Sequence, residues 1–402
     1  MRGLAVGIWT LIAAIGLIPA HRPPAEAAYS RLEQAGYRAF YSLDYAAALA
    51  DFRRLIRLEP QNPAAWNHLA QARLYQEMYR VGALAAELYG PSNAFLHVRL
   101  RRLNPRACQA FVAADSRARA LARRELAQHP RESAANYALA AALGLRATYE
   151  FALRRAYLAA WRDTVRADRY ARRSARERPD WAPPQLIVGV HDYVAGSLPW
   201  TVRWLARLEG LTGSRRQGLA RLQRIAASAA PERIEARILL AVLDRREGWN
   251  RRAAAWLRRL SRAYPRNGLF ALELARADQA AGRPRQALRD YTWLLRAPHH
   301  DAPSYARLPW AEIWLSLGRV HRQLGQSSLA LQAFLQVEQM PATSASERQQ
   351  AALSGGELED LAGRRRAAVA QYRRCIALDS ATPAARAARR WLRHPYRQGH
   401  AP

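Results

Sequence analysis

Small and apolar residues return along the chain at a fixed interval. Gly248 and Gly282, Ala253 and Ala287, and Leu260 and Leu294 are each 34 residues apart, and three coincident intervals define a repeat. The next copy keeps the order with Gly325 and Ala330, 43 residues on, the interval having been lengthened by nine around Ala297 to Tyr305. The last copy has Gly363 and Ala368, a further 38 residues on. Between these positions lie arginine pairs such as Arg172 and Arg173, Arg258 and Arg259, and the run Arg364 to Arg366. A small or apolar stripe opposed by arginines predicts amphipathic helices packed in pairs, with small residues where two helices approach and guanidinium groups in water. Pro60, Pro130, Pro179 and Pro341 punctuate the pattern, at helix ends where a missing N–H costs least.

The same grammar runs through the N-terminal part. Gly36, Ala48, Phe52 and Pro60 close a first repeat, and Trp66 and Leu69 open a second, six and nine residues after Pro60. Leu139 follows Pro130 by nine, and Val188 and Gly189 follow Pro179 by nine and ten. In the copy beginning near Ala311, the residues Trp314, Leu317, Gly318, Ala330, Phe334 and Pro341 stand in the W-x2-L-G … A-x3-F … P order. On these residues the chain resembles the tetratricopeptide repeat family over most of residues 29 to 382. His321 stands where that pattern has Tyr, and Pro341 falls one residue early. The resemblance implies an all-α fold, a right-handed superhelical solenoid of antiparallel helix pairs. It also implies an inner groove lined mainly by the first helix of each pair, helix A, which in this family commonly binds extended peptides or partner helices.

Two stretches depart from the pattern. Tyr75 to Arg102 lacks a second-helix signature and runs through Gly90, Pro91, Ser92 and Asn93, which predicts a helix followed by an ordered insertion. Gly144 to Trp200 reads as long helices with few breaks, carrying Tyr149, Phe151, Tyr157, Trp161 and Tyr170 as core aromatics. Within Ser197 to Leu222 the order of a leucine-proline helix, a Gly-x-x-Gly-like turn and another helix is similar to a motif in a eukaryotic tetratricopeptide family associated with the mitochondrial outer membrane and inclusion-body clearance. Read from its residues, it is an amphipathic helix with Trp200, Val202, Leu205 and Leu208 inward and Arg203 and Arg207 outward.

The N-terminus carries an address. Arg2 precedes an apolar stretch from Leu4 to Ile18, Pro19 to Pro24 breaks it, and Ala25, Glu26, Ala27 gives a small-x-small cleavage pattern. The expected organisation is a signal peptide over 1–27, an N-terminal repeat region over 28–89, an insertion over 90–110, divergent helical repeats over 111–233, a C-terminal array over 234–382, and a capping helix and tail over 383–402. A bacterial protein exported to the periplasm or cell envelope is expected.

Charge adds one question. The 402 residues hold 63 basic and 32 acidic side chains, a formal net charge of +31, and every basic residue is arginine. Half the residues are hydrophobic, enough for a buried core and against wholesale disorder. A field of this sign draws polyanions and anionic lipid surfaces at low salt, but no nucleic-acid-binding module accompanies it, so specific nucleic-acid binding is not expected. Cys108 and Cys375 are far apart in a repeat stack, so two unpaired, mostly buried thiols are expected.

Motifs for chemistry are missing. The best metal-ligand clusters, His299, His300, Asp301 and His191, Asp192, match no structural zinc spacing. A solvated loop and a satisfied polar pair are the readings. No phosphate loop, nucleophile elbow or zincin motif occurs, so neither catalysis, cofactor nor metal is expected. The family register, with helix A positions 2, 5, 9 and 12 facing inward, places Asn67, Gln71, Tyr137, Leu186 and Tyr193 on the groove in the N-terminal half and Arg245, Arg276, Arg319 and Arg322 in the C-terminal half. That predicts a groove apolar and amide-bearing at one end and arginine-lined at the other. Such a groove suits an acidic peptide or helix of a partner, because a guanidinium fork pairs with a carboxylate in bidentate fashion.

Overall fold

The computed structural model describes residues 24–84, 101–198, 212–298, 302–341 and 343–397. The expected signal segment up to residue 23, most of the insertion, the helix around Trp200 to Leu208 and the cluster His299 to Asp301 lie outside the described residues.

All regular structure among the described residues is helical. In chain order the helices are α1 Pro24–Tyr41, α2 Tyr45–Leu58, α3 Pro63–Val81, α4 Pro105–Gln128, α5 Ser133–Thr148, α6 Tyr157–Glu177, α7 Ala182–Ser197, α8 Arg215–Ala227 and α9 Arg233–Arg246. They continue as α10 Asn250–Ala263, α11 Gly268–Ala280, α12 Pro284–Arg296, α13 Trp310–Gln323, α14 Ser327–Gln339, α15 Ala345–Leu361, α16 Arg365–Leu378 and α17 Pro383–Arg393. A π-helical turn, Tyr149–Leu153, extends α5, and a short 3-10 turn lies at Tyr305–Arg307. Odd-numbered helices are the A members and even-numbered ones the B members of consecutive pairs. The chain divides into two compact units, Met1–Phe270 and Ala271–Pro402.

Three local devices build each pair. Between A and B the chain turns through a left-handed residue, at Gly248, Gly282, Gly325 and Gly363 with φ between 68° and 75°. The next N–H then reaches back five residues, as from Trp249 to Asp244 O (2.7 Å) and from Gln326 to His321 O (2.9 Å). This is the Schellman closure, and glycine is favoured there because a Cβ crowds the left-handed region. Leu43 (φ 61°) and Arg155 (φ 54°) hold the same conformation without being glycine.

Between B and A, a side chain six residues after the proline donates to the proline carbonyl: Trp66 Nε1 to Pro60 O (3.0 Å), Asn136 Nδ2 to Pro130 O (3.2 Å), Gln185 Nε2 to Pro179 O (2.9 Å). Within a pair, a glycine of helix A lies against an aromatic ring sixteen residues later. A Cβ on Gly318 would lie 2.5 Å from Phe334, one on Gly356 would lie 2.5 Å from Tyr372, and Gly36 meets Phe52 in the same way.

The expected insertion is shorter than 90–110. Asn104 caps α4 through Arg106 N (3.0 Å) with Pro105 behind it, a local start signal that outweighs the missing repeat residues. Helix α4 packs on α3 and supplies the B helix that the pattern lacked. Residues 101–104 are tied to α3 by Arg80, which donates to Arg102 O (2.6 Å), and by Glu77, which accepts from Asn104 N (2.7 Å). The stretch after Gly144 likewise has a break, at Arg154 to Ala156.

The first unit closes on itself. Tyr41, at the end of α1, packs its ring 5.3 Å from that of Tyr264, and its carbonyl accepts from Asn267 Nδ2 at 2.7 Å. The A helices α5 and α7 are buried on nearly every side as a result.

Candidate functional site

That closure decides the fate of the expected groove. Asn67, Gln71, Tyr137, Leu186 and Tyr193 do not line an open channel; all five are buried. Asn67 Nδ2 donates to Ala138 O (2.8 Å) and ties α3 to α5. Gln71 Oε1 accepts from the Tyr37 hydroxyl (3.0 Å), Tyr137 sits edge-on against Trp181 (5.0 Å), and the Tyr193 hydroxyl donates to Glu247 (2.5 Å). Leu186 belongs to the main apolar core. The register placed them correctly on the inner side, but in the first unit that side is filled by the chain's own side chains. A readable signal was present: α5 and α7 are apolar around the whole circumference, which marks a helix covered on all sides.

The filled interior contains ionisable groups. His68 and Glu33 are both fully buried, with Nε2 2.9 Å from Oε1, and the Tyr37 hydroxyl stands 2.6 Å from His68 Nδ1. Burial lowers the His68 pKa to about 3 and, with the charge of Glu59, pushes Glu33 well above the usual carboxyl range. One proton arrangement satisfies all three contacts: Tyr37 donates to Gln71, neutral His68 donates from Nδ1 to Tyr37, and protonated Glu33 donates to Nε2. A neutral chain sealed from solvent fills space and fixes α1 against α3. Glu232, before α9, is buried too, and burial raises its pKa to about 7.

His191 and Asp192 form a satisfied polar pair. His191 Nδ1 lies 2.9 Å from Asp168, Arg172 bridges Asp168 (2.8 Å) and Asp192 (2.7 Å), and the same guanidinium donates to Thr212 O (2.9 Å). Burial alone would raise the Asp168 pKa, but His191 and Arg172 hold it below the usual range. Both thiols are free, with Cys375 buried and Cys108 partly so.

The four expected arginines fare differently. Arg245 is half-buried in the last turn of α9. In the second unit, Arg276 on α11 pairs with Glu273 (2.7 Å) and with Glu312 of α13 (2.7 Å). Arg322 pairs with Glu357 of α15 (2.6 Å) and donates to the Tyr396 hydroxyl (2.8 Å). Arg319 is exposed and its hydrogen bond goes to a neutral amide oxygen, Gln350 Oε1 (2.7 Å). These bonds form a ladder between successive A helices, with two rungs charge-neutralised and one, at Arg319, retaining its positive charge.

Sequence reasoning missed an acidic cleft in the first unit, about 660 Å³ in volume, where successive B-to-A turns stand side by side. Glu59 to Ala64, Glu125, Glu132 to Ala138 in part, and Trp181 line it. Its carboxylates come from separate turns, so no local motif announces it.

Residues 311–342, which span α13 and α14, match the tetratricopeptide repeat family model. A comparison with curated protein sequences returns no match. Among solved structures, the chain is similar to one in the APC/C hetero-tetramer Cut9–Hcn1, at 14% identity and a TM-score of 0.41, over 90% of this chain and 55% of that one. It is also similar to a tetratricopeptide repeat protein from Parabacteroides merdae, at 14% identity and a TM-score of 0.28, over 82% and 99% of the two chains. A third similarity is to human IFIT1, a dimer with m7Gppp-AAAA, at 14% identity and a TM-score of 0.37, over 91% and 80%. The chain spans about half the length of the first of these.

Proposed function

We propose that this tetratricopeptide repeat protein is a non-catalytic scaffold that holds an acidic segment of a partner protein against the A helices of its C-terminal unit. The repeat fold supports protein interaction in general. The finer reading rests on Arg319, which is exposed and keeps its charge because its bond goes to the neutral Gln350. A guanidinium so placed can accept a carboxylate without first losing an internal ion pair. Arg276 and Arg322 supply flanking positive charge and fix the spacing of the A helices. In this reading the chain works in the periplasm or cell envelope of a bacterium, on the strength of the N-terminal apolar segment.

The test compares the full chain with its Arg319→Glu variant, each used to capture proteins from an extract of its own cells at low salt and at about 0.5 M salt, where the Debye length falls to a few ångströms. The expected result is a discrete protein that survives the high-salt wash on the wild-type chain and is lost on the variant. Identical captures by the two chains overturn the reading.

A second reading, polyanion or anionic-lipid binding, is favoured by one observation. Helix α17 turns Ala385, Ala388 and Trp391 inward and leaves Arg386, Arg389, Arg390 and Arg393 exposed, and no acidic residue follows Asp379 in the sequence. Salt separates the two, since counterion release makes polyanion binding collapse as salt is added.

A further inference from the structure

The acidic cleft in the first unit is the reverse of the surface around it. The protein carries about two arginines for every acidic residue, yet the cleft lining holds Glu59, Glu125 and Glu132 and neither arginine nor histidine. Its volume of about 660 Å³ falls within the range of pockets that enclose a small ligand or several side chains. Each carboxylate has a defined position. Glu59 accepts from Asn62 Nδ2 at 2.7 Å, Glu132 caps α5 through Ala134 N at 3.2 Å, and Glu125 is exposed on the last turn of α4 with no hydrogen bond or ion pair among the described residues.

The lining also offers an aromatic face. Trp181 is half-buried and braced edge-on by the fully buried Tyr137. Arg178 already lays its guanidinium over that ring at 4.7 Å, and Arg252 over Trp249 (4.5 Å) and Arg259 over Trp256 (5.2 Å) repeat the arrangement. Behind Tyr137 there is no compensating cation. Glu33 and Glu232 are both buried, both act on the Tyr137 hydroxyl through their charge, and neither Glu33 oxygen makes a well-directed hydrogen bond. An indole beside carboxylates, backed by further carboxyl groups, matches a planar cation that can stack and fork at once, which distinguishes guanidinium from ammonium.

We propose that this cleft binds an arginine side chain presented by a protein partner, its guanidinium stacked on Trp181 and forked to Glu125 and Glu132. The site is separate from the one proposed around Arg319, lies in the other unit and selects the opposite charge, so either can stand without the other. The net charge of +31 repels an arginine-rich partner at long range and the cleft attracts it at short range. Added salt screens the first more than the second.

The test uses the full chain with 15N-labelled indoles, the Trp181 signal being identified by its loss in Trp181→Phe. The probes are three acetylated, amidated tripeptides, Gly-Arg-Gly, Gly-Lys-Gly and the neutral isostere Gly-citrulline-Gly. The arginine peptide is expected to move the Trp181 signal at concentrations up to about 10 mM and to bind at least about tenfold more tightly than the other two, a difference of roughly 1.4 kcal/mol. Glu125→Gln is expected to weaken it about fivefold, and Glu125→Arg, which places a guanidinium in the cleft from within the chain, to abolish it. Both variants alter an exposed side chain with no partner, and an unchanged melting temperature confirms that each is folded. Equal binding of citrulline or lysine, a silent Trp181 signal, or full binding by Glu125→Arg each overturns the proposal.

Discussion

Asn267 donates to the carbonyl of Tyr41 across 226 residues of sequence, at 2.7 Å. Its other atom is also engaged, since Oδ1 accepts from Leu269 N (3.0 Å) and Phe270 N (3.3 Å) at the start of α11. One buried side chain therefore closes the first unit and caps a helix. Asn267→Asp keeps the capping oxygen and loses the donor, while Asn267→Ala loses both. Expected losses are about 1–3 kcal/mol for the aspartate, from an unsatisfied buried carbonyl and a buried charge, and about 1 kcal/mol more for the alanine. Urea titrations of the two variants side by side check the order.

Neighbouring glycines of α15 are expected to respond in opposite ways. A Cβ on Gly356 meets the Tyr372 ring at 2.5 Å, whereas one on Gly355 finds its nearest neighbour, Leu331, at 3.6 Å. Gly356→Ala forces the two helices apart and should cost about 1–3 kcal/mol. Gly355→Ala should stabilise by about 0.5–1 kcal/mol through helix propensity. Thermal melts of the two variants decide the matter.

The fold was legible from such positions because the spacing of glycine and aromatic residues is itself the packing contact. Gly318 with Phe334, and the prolines at 60, 130 and 179, could be read without coordinates. The closure between Tyr41 and Asn267 could not, because it follows from the accumulated rotation of ten helices and leaves no interval in the sequence. For the same reason Tyr137 and Tyr193 read as groove residues although they are core. The cleft was illegible because Glu59, Glu125 and Glu132 converge from separate turns. The start of α4 was legible in principle, from Asn104 and Pro105.

The left-handed turns offer a reciprocal pair of substitutions. Gly325 has φ 74° and space around it, so Gly325→Ala should cost about 1 kcal/mol through backbone strain alone. Arg155, exposed and at φ 54°, should gain up to about 1 kcal/mol as Arg155→Gly. Opposite shifts in melting temperature are the expected reading.

Glu232 gives stability a pH dependence of defined sign. Its pKa rises to about 7 in the folded protein, chiefly through burial and also through the charge of Glu33, against the opposing effects of its own backbone N–H and Arg233. A carboxyl raised on folding contributes stability that is complete below about 4.5 and is lost as pH climbs to about 7. The contribution is at most about 3 kcal/mol for a shift of this size. His68, lowered to about 3, acts in the other direction, its stability present above about 6.5 and lost toward pH 3. Glu232→Gln should flatten the stability profile between pH 5 and 7 and leave the acid limb in place, as read by melting temperature against pH.

Structural and binding arginines should separate on substitution. Arg276 lies over Glu273, which is fully buried, so Arg276→Ala should destabilise by about 3 kcal/mol by leaving that carboxylate short of a counter-charge. Arg319→Ala should change stability by less than about 0.5 kcal/mol while weakening capture of an acidic partner. Chemical denaturation together with a binding assay on each variant distinguishes the two roles.

The closure of the first unit also has a kinetic side. In an open stack each repeat needs only its neighbour, and folding can follow the chain as it leaves the ribosome. Here Tyr41 emerges 226 residues ahead of Asn267, so the first helix waits for most of the chain before its last contact can form. Long-range contacts of this kind slow folding. During that interval the Tyr41 ring and the apolar sides of α5 and α7 are available to chaperones, and to the same faces of other newly made chains.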